Sequence, residues 1–102
     1  MKVYDKLVRD NIPNIMDKDN VNYDIEVVSD DIALEYLYKK LKEETNELLE
    51  DKNLDEICDC IEVLFSIANK YGFSDEEVLA RRMDKKTTRG GFNKNLILKK
   101  TY

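Results

Sequence analysis

Two pairs of carboxylates stand out for the chemistry their spacing allows. Glu44 and Glu47 lie three residues apart, and so do Glu56 and Asp59. On a helix that spacing puts both members of a pair on one face. The 102 residues hold 22 Asp and Glu against 17 Lys and Arg, a formal charge of −5, and no histidine. A chain without histidine has no His-based triad, no His general base, no His-rich zinc site and no HExxH protease. Its three glycines, Gly72, Gly90 and Gly91, build neither of the Gly-rich phosphate loops. Any chemistry is left to carboxylates, Lys, Arg, Tyr and hydroxyls.

The elements that carry these acids follow from periodicity and caps. The length suits a single domain over residues 1–102, with no repeats or linkers. Asn11, Ile12 and Pro13 begin a short helix that Asp19 and Asn20 close. Val21, Tyr23, Ile25 and Val27 alternate with polar residues and predict a strand. Ser29 or Asp30 caps a long helix over about 31–50, and residues 51–53 make a short turn. A second helix over about 54–71 stops at Gly72. Ser74 and Glu77 form a capping box that opens a third long helix, ending before Gly90. Leu96, Ile97 and Leu98 suggest a second strand. The expected class is mainly α, a helical hairpin core with a short N-terminal helix and one or two short strands.

The hairpin carries the functional argument. Leu34, Leu37, Leu41, Glu44 and Leu48 repeat at 3-4-3-4 spacing, so Glu44 occupies an apolar seam. In the second helix Leu54, Ile57, Ile61, Leu64, Ala68 and Tyr71 keep the same spacing. Cys60, Val63, Phe65 and Ile67 extend its apolar surface, which predicts a central, largely buried helix. Glu56, Asp59, Glu62 and Ser66 form a narrow polar stripe along it, and such a stripe must face something polar. Across a short turn, opposed residues have numbers summing to roughly 104. That register sets Glu44 against Asp59 and Glu47 against Glu56, so four carboxylates converge. Two like charges at ~4 Å repel by about 4 kcal/mol at an effective dielectric of 20. Either some of these acids are protonated or a hard divalent cation, Mg²⁺ or Mn²⁺, lies among them. Glu43, Glu50, Asp51 and Asp55 fit solvated surface charges. Asp17 and Asp19 open an EF-hand-like run, but Asn22 replaces its Gly and Val28 its final Glu, so no calcium loop is expected.

Cys58 and Cys60 cannot pair within one helix, because residues two apart point to different sides. Reduced thiols, no leader pattern and no long apolar stretch predict a soluble cytoplasmic protein away from membranes. The acidic balance disfavours nucleic acid as a partner.

The run EETNE (43–47) followed by EICD (56–59) resembles the EExxE and ExxD signature of the all-α nucleoside triphosphate pyrophosphohydrolases, the superfamily of MazG, dimeric dUTPase and phosphoribosyl-ATP pyrophosphohydrolase. KLVRDNIP (6–13) and TRGGF (88–92) resemble the ends of a small MazG-like branch described as house-cleaning or phosphoribosyl-ATP pyrophosphohydrolase-like, so the likeness covers nearly the whole chain. It implies that Glu44, Glu47, Glu56 and Asp59 hold Mg²⁺ against a triphosphate, with Mn²⁺ as a substitute. Water then attacks the α-phosphorus, releasing a nucleoside monophosphate and pyrophosphate. Glu43 matches the first Glu of the motif. Asn11 stands where that branch has Lys, and the link between the two motifs is very short. Related proteins pack such hairpins into four-helix cores. With the apolar circumference of the second helix, this leads to an expected homodimer or dimer of dimers.

An acidic pocket needs cations for the far end of a triphosphate. The candidates are Lys6 and Arg9 near the start, and Arg82, Lys85 and Arg89, which share one face of the third long helix. Tyr4, Tyr23, Tyr36 and Tyr38 fit core or interface positions better than base-stacking ones. The leading expectation is a Mg²⁺-dependent nucleotide pyrophosphohydrolase. The alternatives are a phosphoribosyl-ATP pyrophosphohydrolase and a non-catalytic helical module that binds metal or nucleotide.

Overall fold

Side-chain caps set where the helices begin. In the computed structural model, which describes residues 1–102, four helices follow one another: α1 (Ile12–Lys18), α2 (Asp30–Asp51), α3 (Leu54–Lys70) and α4 (Asp75–Arg89). Ser29 Oγ accepts the Ile32 N–H at 3.3 Å to open α2, and Asn53 Oδ1 accepts the Glu56 N–H at 2.9 Å to open α3. Ser74 and Glu77 exchange the two bonds of a capping box at the head of α4. α1 has Pro13 in its first turn, where a missing N–H costs nothing.

Only Lys52 and Asn53 separate α2 from α3. Lys52 adopts the left-handed conformation, φ 50° and ψ 45°, and returns its N–H to the Leu48 carbonyl at 2.9 Å. α3 ends at a second left-handed residue, Gly72 with φ 91°, where the N–H groups of Gly72 and Phe73 satisfy the Asn69 and Ala68 carbonyls. Two residues thus join α2 to α3, and four, Tyr71 to Ser74, join α3 to α4.

The α2–α3 hairpin is the packed part of the molecule. Ala33, Leu37, Val63 and Ile67 are buried, with Leu7, Leu34 and Leu41 packed against the Leu37, Val63 and Ile67 cluster. The seam expected for α2 is the one it uses. The seam expected for α3 is not. Leu54, Ile57, Ile61, Leu64 and Tyr71 are exposed, Leu54 at 72 % and Leu64 at 52 %, while Val63 and Ile67 with half-buried Glu56, Asp59 and Cys60 face the partner helix. The helix is turned by roughly 100° from the expected seam, about one residue step. The cause is that α3 is apolar nearly all round, so its spacing alone does not select a face; the face with the acids is the one that meets α2.

The expected strands are not formed. Residues 21–27 and 96–98 have no regular structure, and no second strand lies alongside either to take its backbone hydrogen bonds. Alternation marks a segment suited to pairing, but a ladder needs a neighbour. α4 packs on α3 and not on α2, and it has no buried residue. The molecule is accordingly elongated, 60 × 31 × 25 Å, with a radius of gyration of 17.9 Å, where a 102-residue domain has about 13 Å. It exposes 9383 Å², against about 6,000 Å² for a folded monomer of this mass. No helix is long and apolar enough to cross a membrane.

Candidate metal centre

The rotation of α3 brings its acids to the seam of α2. Glu44 is 7 % exposed on α2, and carboxylate oxygens of Glu44, Glu56 and Asp59 all lie within 4.8 Å of one another. Glu47, half-buried one turn after Glu44, is outside that trio. Three of the four acids thus meet, Glu44 against Asp59 and Glu56, while Glu47 stays outside the tight group. One oxygen of Glu44 and one of Glu56, Oε2 in each case, are buried with no hydrogen-bond partner. A buried orphan carboxylate oxygen is expensive, so each needs a proton or a cation.

The electrostatics lead the same way. Burial pushes the Glu44 carboxyl above its ordinary range; the hydrogen bond and charge of Glu47 and the charge of Asp59 add to this, and Lys40 opposes it. Glu56 is raised too, first by desolvation, then by Asp51 and Asp59. Cys60, beside the cluster, has its thiol raised by burial and by Glu44 and Glu56, so it stays protonated and offers no soft ligand.

A divalent cation fits the donor set. All the candidate ligands are hard oxygens, and opposite ligands of an octahedral Mg²⁺ stand about 4.2 Å apart, so the 4.8 Å spread closes with small side-chain rotations. Glu44, Glu56 and Asp59 would hold it, with Glu47 at its edge.

Three cations attend the acids. Lys40 Nζ is 3.5 Å from Glu44 Oε1 in a mostly buried pair on α2. Lys6 Nζ is 3.5 Å from Glu43, and the Arg9 guanidinium donates to Asp59 Oδ1 at 2.8 Å. Lys40 did not emerge from the sequence as a site residue, although its place four residues before Glu44 is the signal that would have found it. Of the expected phosphate-binding cations, the fold brings Arg9 to the cluster through Asp59 and Lys6 only to Glu43, the neighbour of Glu44 in sequence. It does not bring Arg82, Lys85 or Arg89 there. Arg82 and Lys85 line an open groove of about 760 Å³ along α4 with Phe73 and Val78, and Arg89 lies at the end of that helix beside Gly90 and Phe92. α4 follows the α3 end remote from Glu56 and has no packing on α2, which explains the separation. Tyr36 donates to Asp5 and Tyr38 bonds Tyr71 at 2.8 Å, both structural uses. Cys58 and Cys60 are free thiols.

A pH dependence follows from the raised carboxyls. In the interval between the ordinary glutamate value of 4.5 and the raised folded value, the native state binds more protons than the unfolded chain. Stability contributed by these groups therefore falls as pH rises through that interval. In metal-free buffer at constant ionic strength, the melting temperature of Glu44→Gln is expected to fall less steeply above pH 4.5 than that of the wild type. Parallel curves would show that Glu44 is not a strained carboxylate.

No family model, curated protein or solved structure matches this chain.

Proposed function

We propose that this chain is a Mg²⁺-dependent nucleotide pyrophosphohydrolase, cleaving a nucleoside triphosphate, non-canonical ones included, to the monophosphate and pyrophosphate. The observation that carries the reading is the pair of orphaned carboxylate oxygens of Glu44 and Glu56, buried beside Asp59 in a hairpin whose motifs resemble those of the all-α pyrophosphohydrolases. When bound, Mg²⁺ supplies charge neutralisation for phosphate oxygens and acidifies a water. Glu44, Glu56 and Asp59 act as its ligands and anchor it to both helices. Glu47, one turn after Glu44 and outside the trio, is the carboxylate we assign to accept the proton of the attacking water. Arg9 and Lys6 border the acids and are the cations available for the phosphate chain. Neither histidine nor a covalent nucleophile is needed. Free thiols agree with a cytoplasmic setting.

The test is a panel of ordinary and damaged nucleoside triphosphates, together with phosphoribosyl-ATP, assayed with Mg²⁺ or Mn²⁺ for pyrophosphate against phosphate release. Pyrophosphate from any triphosphate supports the reading; turnover of phosphoribosyl-ATP alone moves the substrate assignment to the second family activity. Metal binding without turnover of any member leaves a binding module.

The same reading includes a homodimer or dimer of dimers. Exposed Ile57, Ile61 and Leu64 on α3 and Leu79 and Met83 on α4 form apolar faces that a second copy would cover. The excess exposed area is several times the roughly 800 Å² per partner of a standard interface. Light scattering at micromolar concentration is expected to give at least twice 12.0 kDa. A monomer mass would remove the oligomer from the proposal.

A further inference from the structure

The segment before α1 is fastened to the hairpin at several points. Asp5, in the left-handed region with φ 44°, accepts the Tyr36 hydroxyl of α2 at 3.1 Å. Leu7 packs on the Leu37, Val63 and Ile67 cluster. Lys6 then reaches Glu43 on α2 and Arg9 reaches Asp59 on α3, so the segment lies across both helices at the level of the acids.

We propose that residues 5–9 form a strap whose Arg9 is a built-in, exchangeable counter-ion of the acid cluster: a divalent cation and the guanidinium compete for Asp59, and the displaced guanidinium takes up the phosphate of an anionic ligand. This rests on the metal-binding reading above. The Arg9–Asp59 pair is half-exposed, and pairs of that kind contribute little to stability, so its exchange is easy. A cation held by Asp59, Glu56 and Glu44 places two positive charges beside the guanidinium and weakens its hold on Asp59. Asp5 and Leu7 keep the strap in place, so Arg9 stays at the mouth of the site. A phosphate bound beside the acids would find there the planar fork of Arg9, which suits its oxygens. Lys40 is not placed for this role, being mostly buried against Glu44.

The experiment measures Mn²⁺ binding to the full chain by calorimetry, then inorganic pyrophosphate binding in saturating Mn²⁺, for the wild type, Arg9→Ala, Arg9→Lys and Lys70→Ala. Lys70 holds Asp30 at 2.9 Å, an ion pair remote from the acids. Arg9→Ala is expected to tighten Mn²⁺ binding by roughly three- to fivefold and weaken pyrophosphate binding by roughly tenfold. Arg9→Lys keeps the competing charge but loses the fork, so it lowers pyrophosphate affinity without tightening Mn²⁺. Lys70→Ala changes neither. If Arg9→Ala leaves Mn²⁺ affinity unchanged or weaker, Arg9 supports Asp59 or stands idle and the exchange is overturned. If the wild type binds no Mn²⁺, the metal-site reading falls and takes the exchange with it.

Discussion

Glu47→Gln and Asp59→Asn are each expected to lower kcat at least a hundredfold while leaving the fold intact. A general base contributes about 10²–10⁴ to the rate, and an amide at Glu47 is isosteric but not basic. At Asp59 the amide removes the charge of one of the three acids proposed to hold the metal, along with the charge of the Arg9 ion pair. A hundredfold loss corresponds to about 2.7 kcal/mol of transition-state stabilisation. Stability moves the other way or hardly at all, because each substitution removes a charge that repels its neighbours, and the exposed Arg9 pair is worth at most about 1 kcal/mol. The measurement is turnover beside thermal melting on the same preparations. A variant that loses activity only because it unfolds would assign the acids a structural role.

The second large effect is the response to metal. With Glu44 and Glu56 each holding a buried oxygen without a partner, Mg²⁺ or Mn²⁺ is expected to raise the melting temperature. At a concentration a hundred times the dissociation constant the gain is about 2.7 kcal/mol. For a chain of this size that is on the order of 10 °C, and excess chelator should abolish both the shift and the turnover. The shift should be lost in Glu44→Gln. Its persistence there would place the cation elsewhere, and no shift in the wild type would remove the metal from the proposal.

The helix boundaries were legible because caps are local. Ser29 and the Ser74–Glu77 box each act within three residues of themselves, and α2 and α4 begin where these residues predict; Asn53, read only as part of the turn, caps α3 in the same way. The acid register was legible for the same reason, since a two-residue link leaves little freedom between Glu44 and Asp59. The face that α3 presents was not. Its apolar residues outnumber what one neighbour can cover, so periodicity had two answers, and the polar stripe through Glu56 and Asp59 was the better guide. Residues 21–27 misled through alternation, which reports a preference but not the presence of a partner. Of the α4 cations only Arg82 and Lys85 line one groove, with Arg89 at the helix end, and where that groove points depends on the Gly72 turn, which their spacing does not encode.

The two-residue link at Lys52 and Asn53 also has a consequence in time. Contacts between α2 and α3 grow in sequence separation away from the link, from 15 residues at Glu44 and Asp59 to 40 at Asp30 and Lys70, so the hairpin can close from its link outward, and helical structures of this kind form fast, in about microseconds to milliseconds. Association with a second copy is bimolecular and slows as the protein is diluted. The acid cluster lies wholly within the hairpin, so a second copy contributes none of its carboxylates. If the proposed cation binds there, its capture should be first order in protein, with an affinity that does not change when the protein is diluted, whether or not a second copy is bound.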